Sequence, residues 1–223
     1  MIFHFLIEDV SGQRLIEQVM EKYIAEMPDN PIEYYIRSYK GIGTLKRVDS
    51  AQNVKSQKLL EDLPKRLSAY QAALQYLPNA SLFIVLDNDT HDVELFRAQL
   101  NAVAKNQGLT IDHVFCIAVE EMEAWLLGDL QALQKAYPQK ADRIMGKIAN
   151  YRQDSICGTW EFLAEILTEG GLSRFKKENP SGFAVGKKKS EWAVSIGQHL
   201  QLRANQSPSF QAFLAELDRR RTL

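Results

Sequence analysis

Apolar runs and amphipathic stretches alternate through the first 130 residues. Ile2 to Ile7 is a short apolar run closed by Glu8-Asp9. Its length and its lack of helical gaps predict a buried strand. Ser11 is a candidate cap, and Leu15, Ile16, Val19, Met20 and Tyr23 then recur at three-to-four spacing. That spacing predicts an amphipathic helix ending near Met27-Pro28. Ile32 to Tyr39, β-branched and aromatic, reads as a second strand, broken by Lys40-Gly41-Ile42-Gly43. Residues from about 54 to 77 carry a leucine stripe (Leu59, Leu60, Leu63, Leu67, Leu74 and Leu77), with Pro64 expected to interrupt or restart the helix.

Ser81 to Leu86 is the strongest strand pattern and ends abruptly in Asp87-Asn88-Asp89. A helix is expected from Val93 to Lys105, a fourth strand from Ile111 to Val119, and a further helix from Glu120. Strand and helix therefore alternate four times. That order predicts an α/β fold, a mostly parallel four-stranded sheet with helices on both faces. Beyond about residue 130 only helices and loops are predicted. Lys187-Lys188-Lys189 leads into a helix from Glu191 to about Leu202, and the last helix runs from Ser207 to Arg219-Arg220-Arg221. The division is a core over residues 1–130 and a helical extension over 131–223 packed on it.

Composition narrows the class. With 45% hydrophobic and 25% charged residues in 223, the chain matches ordinary globular proteins and excludes disorder, collagen-like repeats and coiled coils. The net charge of -1 argues against nucleic-acid binding by bulk charge and leaves only a local basic patch. Apolar runs stop at about five to seven residues, against roughly 20 for a membrane span. The first residues lack a basic n-region and a small-residue cleavage site. Cys116 and Cys157 form no CxxC pair, so neither structural zinc nor a disulfide framework is expected. A cytoplasmic protein without a membrane partner is the expectation.

The chemistry lies at strand ends. In open α/β sheets ligands bind beyond the carboxyl ends of the strands, and three predicted strands end there in acids: Glu8, Asp87 with Asp89, and Glu120-Glu121. If the third strand persists through Asp89, Asp87 and Asp89 share a face. If the first and third strands are neighbours, Glu8 joins them. Carboxylates that close need a cation or a shared proton, and hard oxygen ligands suit Mg²⁺ or Mn²⁺. Each acid has a plainer reading as well, because Asp and Asn favour turns and cap helices.

These residues resemble the Toprim arrangement of topoisomerases, primases and overcoming-lysogenization-defect nucleases. Ile7-Glu8-Asp9, Leu86-Asp87-Asn88-Asp89 and the glutamates after the fourth strand carry the resemblance. More specifically the chain is similar to the Toprim-like DUF4276 family. The matching segments are Lys40-Gly41-Ile42-Gly43, Ala118 to Asp129 with Glu123-Ala124-Trp125-Leu126-Leu127, Lys189-Ser190-Glu191-Trp192-Ala193, and Ser207-Pro208-Ser209-Phe210. The resemblance implies a Rossmann-like sheet with a C-terminal helical extension. It implies Glu8 as general acid/base or metal ligand, Asp87 and Asp89 as metal ligands, and Glu123 as an outer ligand or support. Asp9 departs from the pattern, standing where the first motif has glycine, and its side chain there would crowd or repel a phosphate.

Lys189 is the candidate for stabilising charge on a reacting phosphate; the plain reading of Lys187 to Lys189 is a solvated helix start. Arg219-Arg220-Arg221 suits a helix C-terminus or a nucleic-acid backbone. Trp125, Trp160 and Trp192 read as core anchors, and His91 as a helix start. Lys40-Gly41-Ile42-Gly43 could offer backbone amides to a phosphate but lacks P-loop spacing. Two main functions follow as expectations: a Mg²⁺-dependent nuclease-like protein acting on nucleic-acid phosphodiesters, and a non-catalytic binding or regulatory partner of an ATPase, of the phage-defence kind. A haloacid-dehalogenase-like phosphatase with Asp87 as nucleophile is weaker, because His91 stands where that motif has Thr or Val.

Overall fold

The computed structural model describes residues 1–29, 31–41, 43 and 58–221. Ile42, and the first residues of the helix expected from 54, lie outside the described residues. The strands are β1 (Ile2–Ile7), β2 (Glu33–Ser38), β3 (Ala80–Asp87) and β4 (His113–Ala118). They form one sheet in the order β2-β1-β3-β4, with every pairing parallel. The helices of the alternating half are α1 (Val10–Ala25), α2 (Leu59–Leu74) and α3 (Val93–Asn106). After β4 come α4 (Glu123–Leu127), α5 (Leu130–Ala136), α6 (Ala141–Ile148), α7 (Thr159–Leu167), α8 (Gly171–Glu178), α9 (Gly182–Gly197) and α10 (Pro208–Arg221). The expected α/β fold, a parallel four-stranded sheet flanked by helices, is the one observed. Among the described residues no helix is long and apolar enough to cross a membrane.

The strands read as apolar runs because both faces are buried. Leu6, Leu82, Ile84, Leu86, Phe115 and Ile117 pack under α2 and α3. Phe3, Phe5, Ile7, Phe83, Val85 and Ala118 face the other way, in one core with α1, α4, α9 and α10. At the centre of that core Trp125 is fully buried. It lies 5.1 Å from the Phe213 ring, nearly parallel to it, and its Nε1 donates to Ser209 Oγ at 2.9 Å. Trp192 is buried, and Trp160 packs partly buried at the border of the same core.

Several local expectations are corrected. Asp9, not Ser11, caps α1: its carboxylate accepts from Gly12 N at 2.7 Å and from the Ser11 hydroxyl at 2.8 Å. A Cβ at Gly12 would meet Met122 and Ile7 at 2.7 and 2.8 Å, so that turn admits no side chain. Pro64 lies inside an unbroken α2. The residues from Glu120 form a turn, and α4 starts only at Glu123. The helix expected from Glu191 starts at Gly182 under a Ser181 cap, which puts Lys187 to Lys189 inside α9. Arg220 is buried, not offered to a nucleic-acid backbone. It donates to Asp112 at 2.6 Å and to His113 O at 3.0 Å, pairs with Glu216, and lies 5.2 Å above the Phe83 ring.

Candidate functional site

Strand order brings the acids together. β1 lies beside β3 with Ile7 opposite Val85, so the first residues beyond each strand meet at the same rim. There Asp87 N donates to Glu8 Oε2 at 3.2 Å. Burial pushes the Glu8 carboxyl up to about 7; the Asp87 N–H and the Lys189 ammonium oppose the rise, and the charges of Asp9 and Asp89 add to it. Asp87 is raised well above the usual carboxylate range, first by burial and then by Glu8, with Glu123 and Asp9 contributing. Its Oδ1 is buried without a hydrogen-bond donor. Buried polar atoms are nearly always paired, and the partner this oxygen lacks could be supplied by a proton on the raised carboxyl, a ligand or a cation.

Asp89 does not continue the strand. β3 stops at Asp87, and Asp89 sits at φ +49 in the left-handed region with its N–H on Glu120 O at 3.0 Å. The alternation argument for a shared face therefore fails, although the Asp89 charge still acts on Glu8. Asn88 between them is fully buried and structural: its amide bridges His91 O and Glu120 N, pinning the end of β3 to the end of β4. His91 accordingly belongs to the turn before α3, its ring stacked on Phe96.

The chain after β4 supplies the other wall. Glu120, at φ +61, is spent on structure: it accepts from Cys157 N at 3.1 Å, Gly158 N at 2.8 Å, Thr159 N at 2.9 Å and the Thr159 hydroxyl. Burial alone would raise its pKa, but these donors outweigh burial and hold it below the ordinary value. Glu123, only 4% exposed, lies 3.1 Å from Lys189 Nζ. Glu121 reaches the same ammonium at 3.6 Å and accepts from Trp160 N at 3.3 Å. Burial, with the neighbouring Glu123 charge, pushes Glu121 up to about 8 against the pull of Lys189. Burial likewise raises Glu123. For Lys189, burial disfavours the charge, but Glu123, Glu121, Asp87 and Asp9 outweigh it and hold the ammonium above its ordinary range.

Lys189 arrives there because α9 packs along α1, with Trp192, Ala193 and Ile196 in the core and Lys189 on the flank toward the rim. Of the strand-end pair Glu120-Glu121, only Glu121 faces the ammonium; its position beyond the fourth strand marks it as a rim acid but assigns it no role. Gly41 offers no free amide to a phosphate, because its N–H donates to Glu8 O at 3.0 Å. Asp9, turned onto its own helix cap, does not project as a free carboxylate, yet its charge is felt by Glu8, Asp87 and Glu123.

Six carboxylates (Glu8, Asp9, Asp87, Asp89, Glu121 and Glu123) thus share one rim with the Lys189 ammonium. The donor set, hard oxygens in excess of positive charge around the unpaired Asp87 Oδ1, fits a divalent cation. Among the described residues no three His, Cys, Asp or Glu side chains converge closely enough to hold a metal ion by themselves. A cation here would complete its shell with water or phosphate oxygens, as Mg²⁺ commonly does.

Fold and site define an α/β protein that gathers carboxylates and one buried lysine at the carboxyl rim of a parallel sheet. The chain belongs to the DUF4276 family, a domain of unknown function whose model matches residues 7–218. No curated protein and no solved structure matches the chain.

Proposed function

We propose that the chain is a Toprim-like, Mg²⁺- or Mn²⁺-dependent protein that hydrolyses nucleic-acid phosphodiesters. The observation that carries this reading is the buried, donorless Asp87 Oδ1 beside Glu8, on a rim crowded with carboxyl groups. Glu8 and Asp87 would contact the cation, with water or phosphate oxygens filling its shell and Asp89 and Glu123 acting from beside them. A divalent cation in such a site polarises phosphate oxygens and activates water. Glu8, pushed up to about 7, changes protonation near neutral pH and can take or return a proton at its Oε atoms. Lys189, held charged by Glu121 and Glu123, places its ammonium where phosphate charge develops. The two glutamates position that lysine.

A second reading is a non-catalytic partner of an ATPase, in which the acidic rim would bind a cation weakly or not at all. Purified protein incubated with Mg²⁺ or Mn²⁺ and supercoiled plasmid or single-stranded RNA separates the two. Cleavage that disappears in Asp87→Ala supports the hydrolase. An intact substrate panel, together with an ATPase that copurifies with the wild type, supports the partner.

A further inference from the structure

β2 is an edge strand, and on its α2-side face Tyr35 and Arg37 are exposed. Tyr35 and Arg37 of β2, and Tyr39 just beyond it, alternate along the chain, so they point the same way with successive ones about 7 Å apart. Tyr35 is 56% exposed and stacks on His4 of β1, the ring centroids 5.1 Å apart and the planes 16° from parallel. Tyr70 of α2 meets His4 edge-on at 5.6 Å. Arg37 and Arg66 stand over the Tyr39 ring at 5.8 and 5.6 Å.

One of the two guanidiniums in this strip is unpaired among the described residues. Arg66 pairs with Asp62 at 3.2 Å but keeps a buried Nε without an acceptor. Arg37 is exposed and has no hydrogen bond or ion pair among the described residues. Tyr39 is 7% exposed, and its hydroxyl is buried without a partner. The one acid along the strand is Glu33, at the far end, accepting from the Tyr35 hydroxyl at 3.5 Å. The exposed Arg37 guanidinium, the Arg66 Nε without an acceptor, and the exposed Tyr35 ring stacked on a partly buried His4 make a surface suited to an anion joined to a flat ring. The strip also has a direction: Tyr39 N donates to Ile7 O and Gly41 N to Glu8 O, so its end abuts the acidic rim.

We propose that this strip is a track for single-stranded nucleic acid, with a base stacked on Tyr35 and the sugar–phosphate backbone held by Arg37 and Arg66. Aromatic stacking combined with cationic backbone contacts is how strands are bound without sequence preference. The proposal extends the hydrolase reading, since the track would deliver a strand to Glu8 and Asp87.

The test uses the full chain carrying Asp87→Asn, in EDTA, so that binding is read without cleavage. Fluorescence anisotropy with labelled oligo-dT and oligo-U gives affinities against salt for this background and for added Tyr35→Ala or Arg37→Ala, exposed positions whose folding is checked by circular dichroism. We expect binding of at least one oligonucleotide, weakened about tenfold by either change, with a shallower salt dependence for Arg37→Ala. Equal affinity in the variants, or preference for duplex over single strands, overturns the proposal. A concentration-dependent dimer dissociated by Tyr35→Glu, with no oligonucleotide bound, assigns the strip to self-association and also overturns it. Weakened binding in the variants with no plasmid cleavage by the wild type retains the track and removes the hydrolase.

Discussion

Asp87→Asn should stabilise the metal-free protein while removing its response to divalent cations. The side chain keeps its shape and loses a charge that burial and the Glu8, Glu123 and Asp9 carboxylates all oppose. Its Oδ1 has no donor, and an unsatisfied buried polar atom costs about 1–3 kcal/mol. Asn also brings a buried amide, so the net gain should sit at the lower end, about 1–2 kcal/mol at pH 8. For a domain of this size each kcal/mol moves the melting temperature by about 2–4 °C, giving a rise of about 2–8 °C. The sign depends on pH. The folded pKa of Asp87 is raised, so the native carboxyl binds a proton that the unfolded one releases. The penalty is absent below the unfolded pKa and grows as pH rises, and the advantage of the variant should therefore be larger at pH 8 than at pH 5. Differential scanning fluorimetry in EDTA and in Mg²⁺ reads both halves. Wild type should gain stability in Mg²⁺, by about 2.7 kcal/mol when the ion is at a hundred times its Kd, and the variant little. A variant less stable than wild type at pH 8 in EDTA would refute the reasoning, because it would mean that the Asp87 carboxylate is already compensated.

Lys189→Met should destabilise by about 3–5 kcal/mol in urea titrations, since it strips the cation from Glu121 and the buried Glu123; an equal loss at pH 5 and pH 9 would count against an electrostatic cause. Glu120→Ala should cost about 2–4 kcal/mol and release amide-exchange protection at Cys157, Gly158 and Thr159, whose N–H groups it accepts; unchanged exchange there would contradict the capping role. In metal-free wild type, Glu8 and Glu121 titrate in the fold at about 7 and about 8, above the ordinary 4.5. Raised folded values mean that stability is fully present below the unfolded pKa and is lost as pH rises through 7 to 8, so melting temperatures measured from pH 5 to 9 in EDTA should fall across that window and recover with Mg²⁺.

Much of the architecture is written locally. The apolar runs at Ile2 to Ile7 and Ser81 to Leu86 cannot be solvated, so they become strands buried on both faces, and the three-to-four periodicity after the first run fixes α1. Glu8 and Asp87 were legible as candidates because they follow such runs directly. The capping role of Asp9 is also local, an acid three residues before Gly12. What α9 does was not legible. Gly182 and Gly186 are poor helix formers, and that helix starts nine residues earlier than its periodicity suggests because Trp192, Ala193 and Ile196 are anchored against α1.

Three further decisions belong to the tertiary structure. Placing β1 between β2 and β3 sets Glu8 against Asp87 N, and no pattern along the chain dictates strand order. Glu120 and Glu121 are adjacent and chemically identical, yet one is consumed by the start of α7 and the other faces Lys189. Lys189 itself reads as one of three solvated lysines until α9 turns it toward the rim. Secondary structure answers to the burial needs of neighbouring residues, which the sequence carries in its spacing. A site's protonation and charge depend on which distant groups share a desolvated space, and that is set only when the sheet is ordered and the helices have packed.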